Sequence, residues 1–357
     1  MKILVSVGTR PEFIKIVPVI RKLREQSIAT HFLYTGQHRD LCRPLFDFFD
    51  VNPDTNLDIM EENQPLSHIT STILARMDEV LIGVKPNLVI VHGDTSTTLA
   101  SALASFYRRI PVTHVEAGLR SHNRYSPFPE EVNRILVDHL AVYHFAPTER
   151  NRENLIREGI PPEGIVVTGN TVIDTVQMVA AMVKPTKKKQ VIITAHRREN
   201  FGAPLEQICG AVAELARRFP DREFLYPVHP NPNVRQVTCD LLTGIPNVRL
   251  TEPLDYVTFV TEMASSELVL TDSGGIQEEA PAFGVPVVVM RRETERTEGV
   301  EAGTLLLAGT EQQDIVTAAS RILTDPAYYA SFARARNPYG DGHAAERIVD
   351  FLLRVIR

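Results

Sequence analysis

The sequence predicts an α/β protein made of two doubly wound halves, each a parallel sheet covered by helices on both faces. Three observations predict it. Short, continuous β-branched runs alternate with segments of helical apolar spacing, the pattern of strands buried on both faces. The alternation runs to GIVVTG (164–169) and starts afresh at VIITA (191–195). With 357 residues, the chain also exceeds one ordinary domain core.

The elements follow in order. KILVSV (2–7) is the first strand, and PEFIKIVPVIRKL (11–23) a helix that starts on Pro11, where the missing N–H costs nothing. HFLYT (31–35), NLVIVHG (87–93), VTHVEA (112–117), YHFA (143–146) and GIVVTG continue the strands. TTLASALASFYRR (97–109), PEEVNRILVDHLA (129–141) and TERNRENLIREG (148–159) are the helices between them. In the second series the strands are VIITA, EFLYPV (223–228), VRLT (248–251), LVLT (268–271), VPVVVM (285–290) and TLLLA (304–308). PLEQICGAVAELARRF (204–219) and DYVTFVTEMA (255–264) are helical. The seam falls in TVIDTVQMVAAMV (171–183) and KPTKKK (184–189), so domains are expected at 1–170 and 171–343. Lys187 to Lys189 read as a solvated linker. AAERIVDFLLRVIR (344–357) is an amphipathic helix able to pack on either half.

Composition is that of a soluble globular protein, 43% hydrophobic and 23% charged. A net charge of −6 lacks the surplus of Lys and Arg that tracks nucleic-acid phosphates, so nucleic acid is not an expected partner. Cys42, Cys209 and Cys239 have no CxxC spacing, which points to free thiols in a reducing cytoplasm. MKILVSV is too short for a leader and no stretch is long enough to span a membrane, so neither export nor insertion is expected.

Ligands of doubly wound sheets bind outside the carboxyl ends of the strands. Here those ends carry Gly8-Thr9-Arg10, His92-Gly93-Asp94, His114 to Gly118, His196-Arg197-Arg198, His229 and Asp272-Ser273-Gly274-Gly275. A stabilising core has no need of that bias. Ser273-Gly274-Gly275 open a helix, whose unpaired N–H groups and dipole suit a phosphate. The plainer alternative is Asp272 or Ser273 capping an ordinary helix. Glu278 or Glu279, one turn in, can accept from ribose hydroxyls. Arg10 and Lys15 oppose the dipole of their own helix, a placement that a bound anion would relieve. Asp94, Glu116 and Glu130 are the acid/base candidates. His92 with Asp94, and His114 with Glu116, could instead hold a metal, but no HExxH or Cys/His array accompanies them and none is expected. No GxGxxG follows any strand, so no dinucleotide cofactor is expected.

GTRPEFIK (8–15), TGQH (35–38), HGDTSTTLA (92–100), HVEAGLRS (114–121), SPFPEEVNR (126–134), TGNTVID (168–174), HRRENFG (196–202), PVHPNPNVR (227–235), TDSGGIQEEAP (271–281) and NPYGDG (337–342) stand in one order along the chain. Through them, and over essentially its whole length, the chain resembles the non-hydrolysing UDP-N-acetylglucosamine 2-epimerases. The resemblance implies the glycosyltransferase-B fold, two facing Rossmann-like domains with the C-terminal helix crossing back to the first. It implies reversible interconversion of UDP-GlcNAc and UDP-ManNAc, without a cofactor, in a homodimer. The C2 hydrogen of the sugar is not acidic, so inversion needs either transient oxidation or elimination of UDP. Without a dinucleotide fingerprint, elimination fits. A hydrolysing relative that releases ManNAc and UDP, or a glycosyltransferase of the same fold, is the alternative.

By the same resemblance, Asp94, Glu116 and Glu130 are the acid/base carboxylates, with Lys15 and His196 as active-site helpers. Arg10, His196 and Ser273-Gly274-Gly275 form the diphosphate site. Glu279 contacts ribose, Phe259 lines the uracil pocket and Arg296 reaches the phosphates, although Thr297 replaces a frequent Pro beside it. Gln37, His38 and His229 match an activator site of some bacterial members. Asp40 and Thr72 depart from the Gln and Arg of those members, so weak or absent activation by UDP-GlcNAc is expected.

Overall fold

In the computed structural model, which describes residues 1–37, 39–61 and 64–356, strand β1 (Lys2–Val7) turns into helix α1 (Arg10–Glu25) through a capping box. The Thr9 side chain accepts from Glu12 N, and the Glu12 carboxylate accepts from Thr9 N at 2.7 Å and Gly8 N at 3.2 Å. Pro18 inside α1 leaves the Ile14 carbonyl without its helical donor. The Thr175 hydroxyl donates to that carbonyl at 2.5 Å.

The chain divides into two units, Met1–Thr175 with Gly340–Arg357, and Val176–Tyr339. The first continues with β2 (Ala29–Tyr34), α2 (Arg39–Phe49), β3 (Thr55–Asn56), α3 (Leu66–Val84), β4 (Leu88–His92), α4 (Ser96–Tyr107), β5 (Val112–Val115), α5 (Glu130–Leu140), β6 (Tyr143–Ala146), α6 (Glu149–Arg157), β7 (Ile165–Val167) and α7 (Thr171–Val183). Its strands are all parallel, in the order β3-β2-β1-β4-β5-β6-β7. Strand order reverses between β1 and β4, the switch point at which such sheets bind ligands. Glu12 ties the two sides together there: it also accepts from the Thr95 and Thr98 hydroxyls, at 2.8 and 3.0 Å, where α4 begins. Burial pushes the Glu12 carboxyl upward against these hydrogen bonds.

The second unit holds β8 (Gln190–Thr194), α8 (Ala203–Arg218), β9 (Glu223–Pro227), α9 (Pro232–Leu242), β10 (Val248–Thr251), α10 (Tyr256–Ser265), β11 (Leu268–Thr271), α11 (Gly274–Glu279), β12 (Val287–Val289), α12 (Thr297–Glu301), β13 (Leu305–Leu307), α13 (Gln312–Thr324) and α14 (Pro326–Ala333). Its order, β10-β9-β8-β11-β12-β13, repeats the same winding with the switch between β8 and β11. Val191, Ile193, Phe224, Leu268 and Leu270 of its strands are fully buried against Ile208, Val212 and Leu215 of α8 and Ile315 and Val316 of α13. Helices α2, α3, α7, α9, α12, α13 and α14 and strand β3 go beyond the sequence reading. Helix α2 carries Pro44 inside it, which reads locally as a breaker.

The last helix, α15 (Ala344–Val355), belongs to the first unit. Ile348, Val349 and Leu352 are buried, and Phe351 meets Tyr143 and Phe145 edge-on at 5.3 and 5.6 Å. No residue at its own start caps it. Asp174 of α7 does so from a distance, accepting from Ala345 N at 2.8 Å and Ala344 N at 3.2 Å. Burial pushes Asp174 up to about 6 in spite of those bonds. A carboxyl raised above its unfolded value of about 3.9 binds protons more readily when folded. Stability is therefore expected to fall as pH rises from about 4 to about 6, and Asp174→Asn to flatten that slope in chemical denaturation. An unchanged slope would show that the charged form is not penalised.

Candidate active site

In the first unit the acid/base candidates gather around the end of β4. Glu116 follows β5 with φ +68, a left-handed backbone that costs a non-glycine residue about 1–3 kcal/mol. Its Oε2 accepts from Lys15 Nζ of α1 and, at 3.1 Å, from Asn170 Nδ2. Its Oε1 faces Gly93, 3.8 Å from where a Cβ there would stand. Asp94 is next to that glycine. Its carboxylate accepts from Arg134 Nη2, and its carbonyl from Asn133 Nδ2 at 2.9 Å, both on α5. Glu130 is the first residue of α5, one turn before Arg134, and its Oε2 is buried without a hydrogen-bond partner. The same arrangement corrects the dipole reading of Lys15: its charge is met by Glu116, not left for a bound anion.

A second layer holds these loops. His114 bridges Asp138, at 2.6 Å from Nδ1, and the Gly93 carbonyl, to which Nε2 donates at 2.7 Å. Arg120 donates to Asp138 at 2.7 Å and to Glu158 at 2.8 and 2.6 Å. His92 is buried, and burial pushes its imidazole down to about 3, so it is uncharged at neutral pH. Among the described residues, no three His, Cys, Asp or Glu side chains are spaced to share a metal ion.

Gln37 accepts from the Thr97 hydroxyl at 2.7 Å, and a Cβ at Gly8 would collide with both side chains. Gly8 is therefore required by close approach at the end of β1. His38 and the side chain of Asp40 lie outside the described residues. Thr72 is on α3.

In the second unit, neither Asp272 nor Ser273 caps α11. Ser273 makes no capping hydrogen bond, and Asp272 accepts instead from His196 N and Arg197 N, at 2.9 and 2.8 Å. A Cβ at Gly274 would stand 3.2 Å from Arg197 Nη2 and 3.4 Å from Arg296 Cζ, so two guanidiniums flank the start of that helix. Arg296 is also paired with Glu278 at 2.9 Å; burial pushes its guanidinium pKa down, but the carboxylates of Glu278 and Glu295 outweigh it and leave it raised. This separates the two ribose candidates. Glu278 is buried and spoken for by Arg296, whereas Glu279 is only half-buried, with Oε1 beside Gly275. Phe259 is half-buried in the first turn of α10. His196 stacks on His229, ring centroids 5.3 Å apart.

Sequence reasoning passed over Arg134, Asn170, Asp138 and Arg120. Arg134, Asn170 and Arg120 lie inside the quoted motifs, but nothing in a linear motif says which acid each of them meets.

The whole chain can be set beside known proteins. Residues 21–353 match the family model described as UDP-N-acetylglucosamine 2-epimerase. The UDP-N-acetylglucosamine 2-epimerase of Yersinia pestis is 49% identical over 369 residues, covering 99% of this chain and 98% of that protein. The Escherichia coli K12 enzyme of the same name is 47% identical, again over 99% of this chain and 98% of its own length. The UDP-GlcNAc 2-epimerase of Neisseria meningitidis, solved bound to UDP-GlcNAc, superposes with a TM-score of 0.88 at 45% identity, covering 99% of this chain and 100% of that one. Two parallel Rossmann-like sheets, the carboxylates grouped at the end of β4 and likeness along nearly every residue agree: this chain belongs to the UDP-N-acetylglucosamine 2-epimerase family.

Proposed function

We propose that the chain is a non-hydrolysing isomerase that interconverts UDP-GlcNAc and UDP-ManNAc by elimination and re-addition of UDP. The observation that carries this reading is Glu116, held by Lys15 and Asn170 with its other oxygen over Gly93, beside Asp94. As the C1–O bond breaks, its electrons leave with UDP. A carboxylate takes the C2 proton, and the C2–H electrons become the C1=C2 double bond of a 2-acetamidoglucal. A second group returns a proton to the opposite face, and UDP adds back at C1. No hydride leaves the sugar, so the scheme needs no redox cofactor. Asp94, Glu116 and Glu130 supply the proton-handling groups, with Lys15 beside Glu116.

In the second unit the departing diphosphate is assigned to His196, Arg296 and the start of α11 at Ser273-Gly274-Gly275. Two flanking guanidiniums and an uncapped helix start support this. Glu279 takes the ribose hydroxyls and Phe259 the uracil ring. The Neisseria relative, solved with UDP-GlcNAc, supports the ligand class.

Incubation with UDP-GlcNAc in D2O, followed by NMR at C2, tests the scheme. Deuterium at C2 of both sugars, with UDP-ManNAc appearing, is expected. Free ManNAc would point to a hydrolase, and absence of exchange would remove the proton chemistry. A hyperbolic rate curve in UDP-GlcNAc, and turnover of UDP-ManNAc alone, are expected if Gln37, His38 and His229 form no strong activator site.

The chain is assigned to a homodimer in the cytoplasm. Helices α3, α4 and α5 pack side by side and leave Ile82, Phe106, Tyr107 and Leu136 exposed, apolar area suited to a second copy. Light scattering is expected to report a dimer that Phe106→Glu dissociates. The three cysteines are all free thiols, as a reducing compartment keeps them. No helix among the described residues is long and apolar enough to cross a membrane.

A further inference from the structure

The switch point of the second sheet holds a carboxylate to which no role has been given. Thr194 of β8 and Thr271 of β11 are register partners, and their hydroxyls hydrogen-bond at 2.6 Å. Just beyond them the two strands deliver His196 and Asp272. Asp272 is fully buried. Its Oδ2 accepts three hydrogen bonds, from His196 N at 2.9 Å, Arg197 N at 2.8 Å and Asn200 Nδ2 at 3.0 Å. Its Oδ1 has no hydrogen-bond partner and lies 3.9 Å from His196 Nδ1. An orphaned, buried carboxylate oxygen is costly, and native proteins rarely leave one without a reason. The His196 ring is the group facing it, and a small rotation would close that gap to a hydrogen bond. The ring is 40% exposed, so its far edge is open to a ligand.

We propose that Asp272 is the positioning residue of His196: Oδ2 fixes the backbone that carries the imidazole, and Oδ1 accepts a hydrogen bond from Nδ1–H. The ring is then fixed with Nδ1–H toward Asp272 and its Nε2 edge toward the leaving diphosphate, and the Asp272 charge favours the imidazolium once that second anion is beside the ring. This rests on the epimerase reading for the identity of the diphosphate, but not for the pairing itself. Three charged or titratable groups face the ring. Burial, His229 and Arg197 act to lower its pKa, while Asp272 opposes them, with a net lowering. Without Asp272 nothing among those groups favours the charged ring.

Asp272→Asn separates an electrostatic role from a scaffold role. Three N–H donors converge on the Oδ2 position, so the amide oxygen of Asn must sit there and its NH2 must face His196. The backbone hydrogen bonds are kept, and the acceptor for Nδ1–H is replaced by a donor. With 15N-labelled histidine and the His196 signal assigned, the His196 pKa is expected to fall by about one unit or more in Asp272→Asn, a tenfold or larger loss of the protonated ring above its pKa. The high-pH limb of kcat, where protonated His196 is lost, is expected to move to lower pH by the same amount. His229→Asn removes an opposing charge and is expected to shift the His196 pKa upward. In the unaltered protein with UDP bound, the 15N shift of His196 Nδ1 is expected to report a protonated nitrogen, a measurement that needs no variant to fold. A His196 that titrates identically in Asp272→Asn, or an unprotonated Nδ1 in the UDP complex, would overturn the proposal. Both readouts are taken without turnover, so they fail independently of the C2 exchange that tests the epimerase reading.

Discussion

Glu116→Gln is expected to lower the rate of epimerisation by about 10²–10⁴-fold, the range for loss of a general acid/base group. Gln keeps the volume and an acceptor for Lys15 Nζ or Asn170 Nδ2, so the local packing of α1 against the loop after β5 survives. It loses the charge and the ability to take a proton. Exchange of deuterium into C2 is expected to fall with turnover, because both need the same proton transfer. UDP affinity, measured by calorimetry, is expected to hold, since the proposed diphosphate, ribose and uracil contacts of α10, α11 and His196 are untouched. A variant that keeps more than about a tenth of the exchange rate would take Glu116 out of the chemistry. A nucleotide-sugar sensor without catalysis would show no change in either, because there the acids are expendable.

Asp138→Ala is expected to destabilise the protein by about 3–5 kcal/mol, the cost of stripping one partner from a buried ion network. Asp138 is fully buried on α5 and accepts from Arg120, whose side chain is 1% exposed, and from Gly118 N at 3.3 Å. Removing it leaves the Arg120 charge buried with only Glu158, and His114 with one partner instead of two. For a protein of this size the melting temperature is expected to drop on the order of 10 °C. Burial pushes Asp138 upward, but His114 and Arg120 outweigh it and hold it below the usual carboxylate range. A lowered folded pKa contributes stability that is present above the unfolded value of about 3.9 and lost as pH falls through the folded one. The gap between the unaltered protein and Asp138→Ala is therefore expected to narrow below about pH 4. Activity is expected to fall too, because His114 holds the Gly93 carbonyl and with it the loop that carries Asp94. A variant that melts within a degree or so of the unaltered protein would show that the network carries no net stability.

Apart from the two-residue β3, the strands were legible because a strand buried on both faces writes itself as a continuous apolar run. The polar residues after them were legible as a site because their position at strand ends follows from the parallel winding. Helix α2 was not, since Pro44 breaks the local helical signal while packing of Leu45, Phe46 and Phe49 restores it. The choice between Glu278 and Glu279 was not either. Adjacent in sequence, they point to different surroundings on one short helix, and only the position of Arg296 separates them. The dipole argument for Lys15 failed for a related reason: its counter-charge lies 101 residues away.

By itself the sequence determined the double winding, the order of the motifs, and which residues stand at the ligand ends of both sheets. These depend on neighbours in the chain, through strand periodicity, helix starts and glycine-permitted turns. Tertiary structure alone decided that Lys15 meets Glu116, Arg134 meets Asp94 and Asp272 turns to His196, at separations of 101, 40 and 76 residues. Ion pairs and hydrogen bonds form across space, between strands that the parallel crossover makes neighbours. No local pattern along the chain carries that pairing.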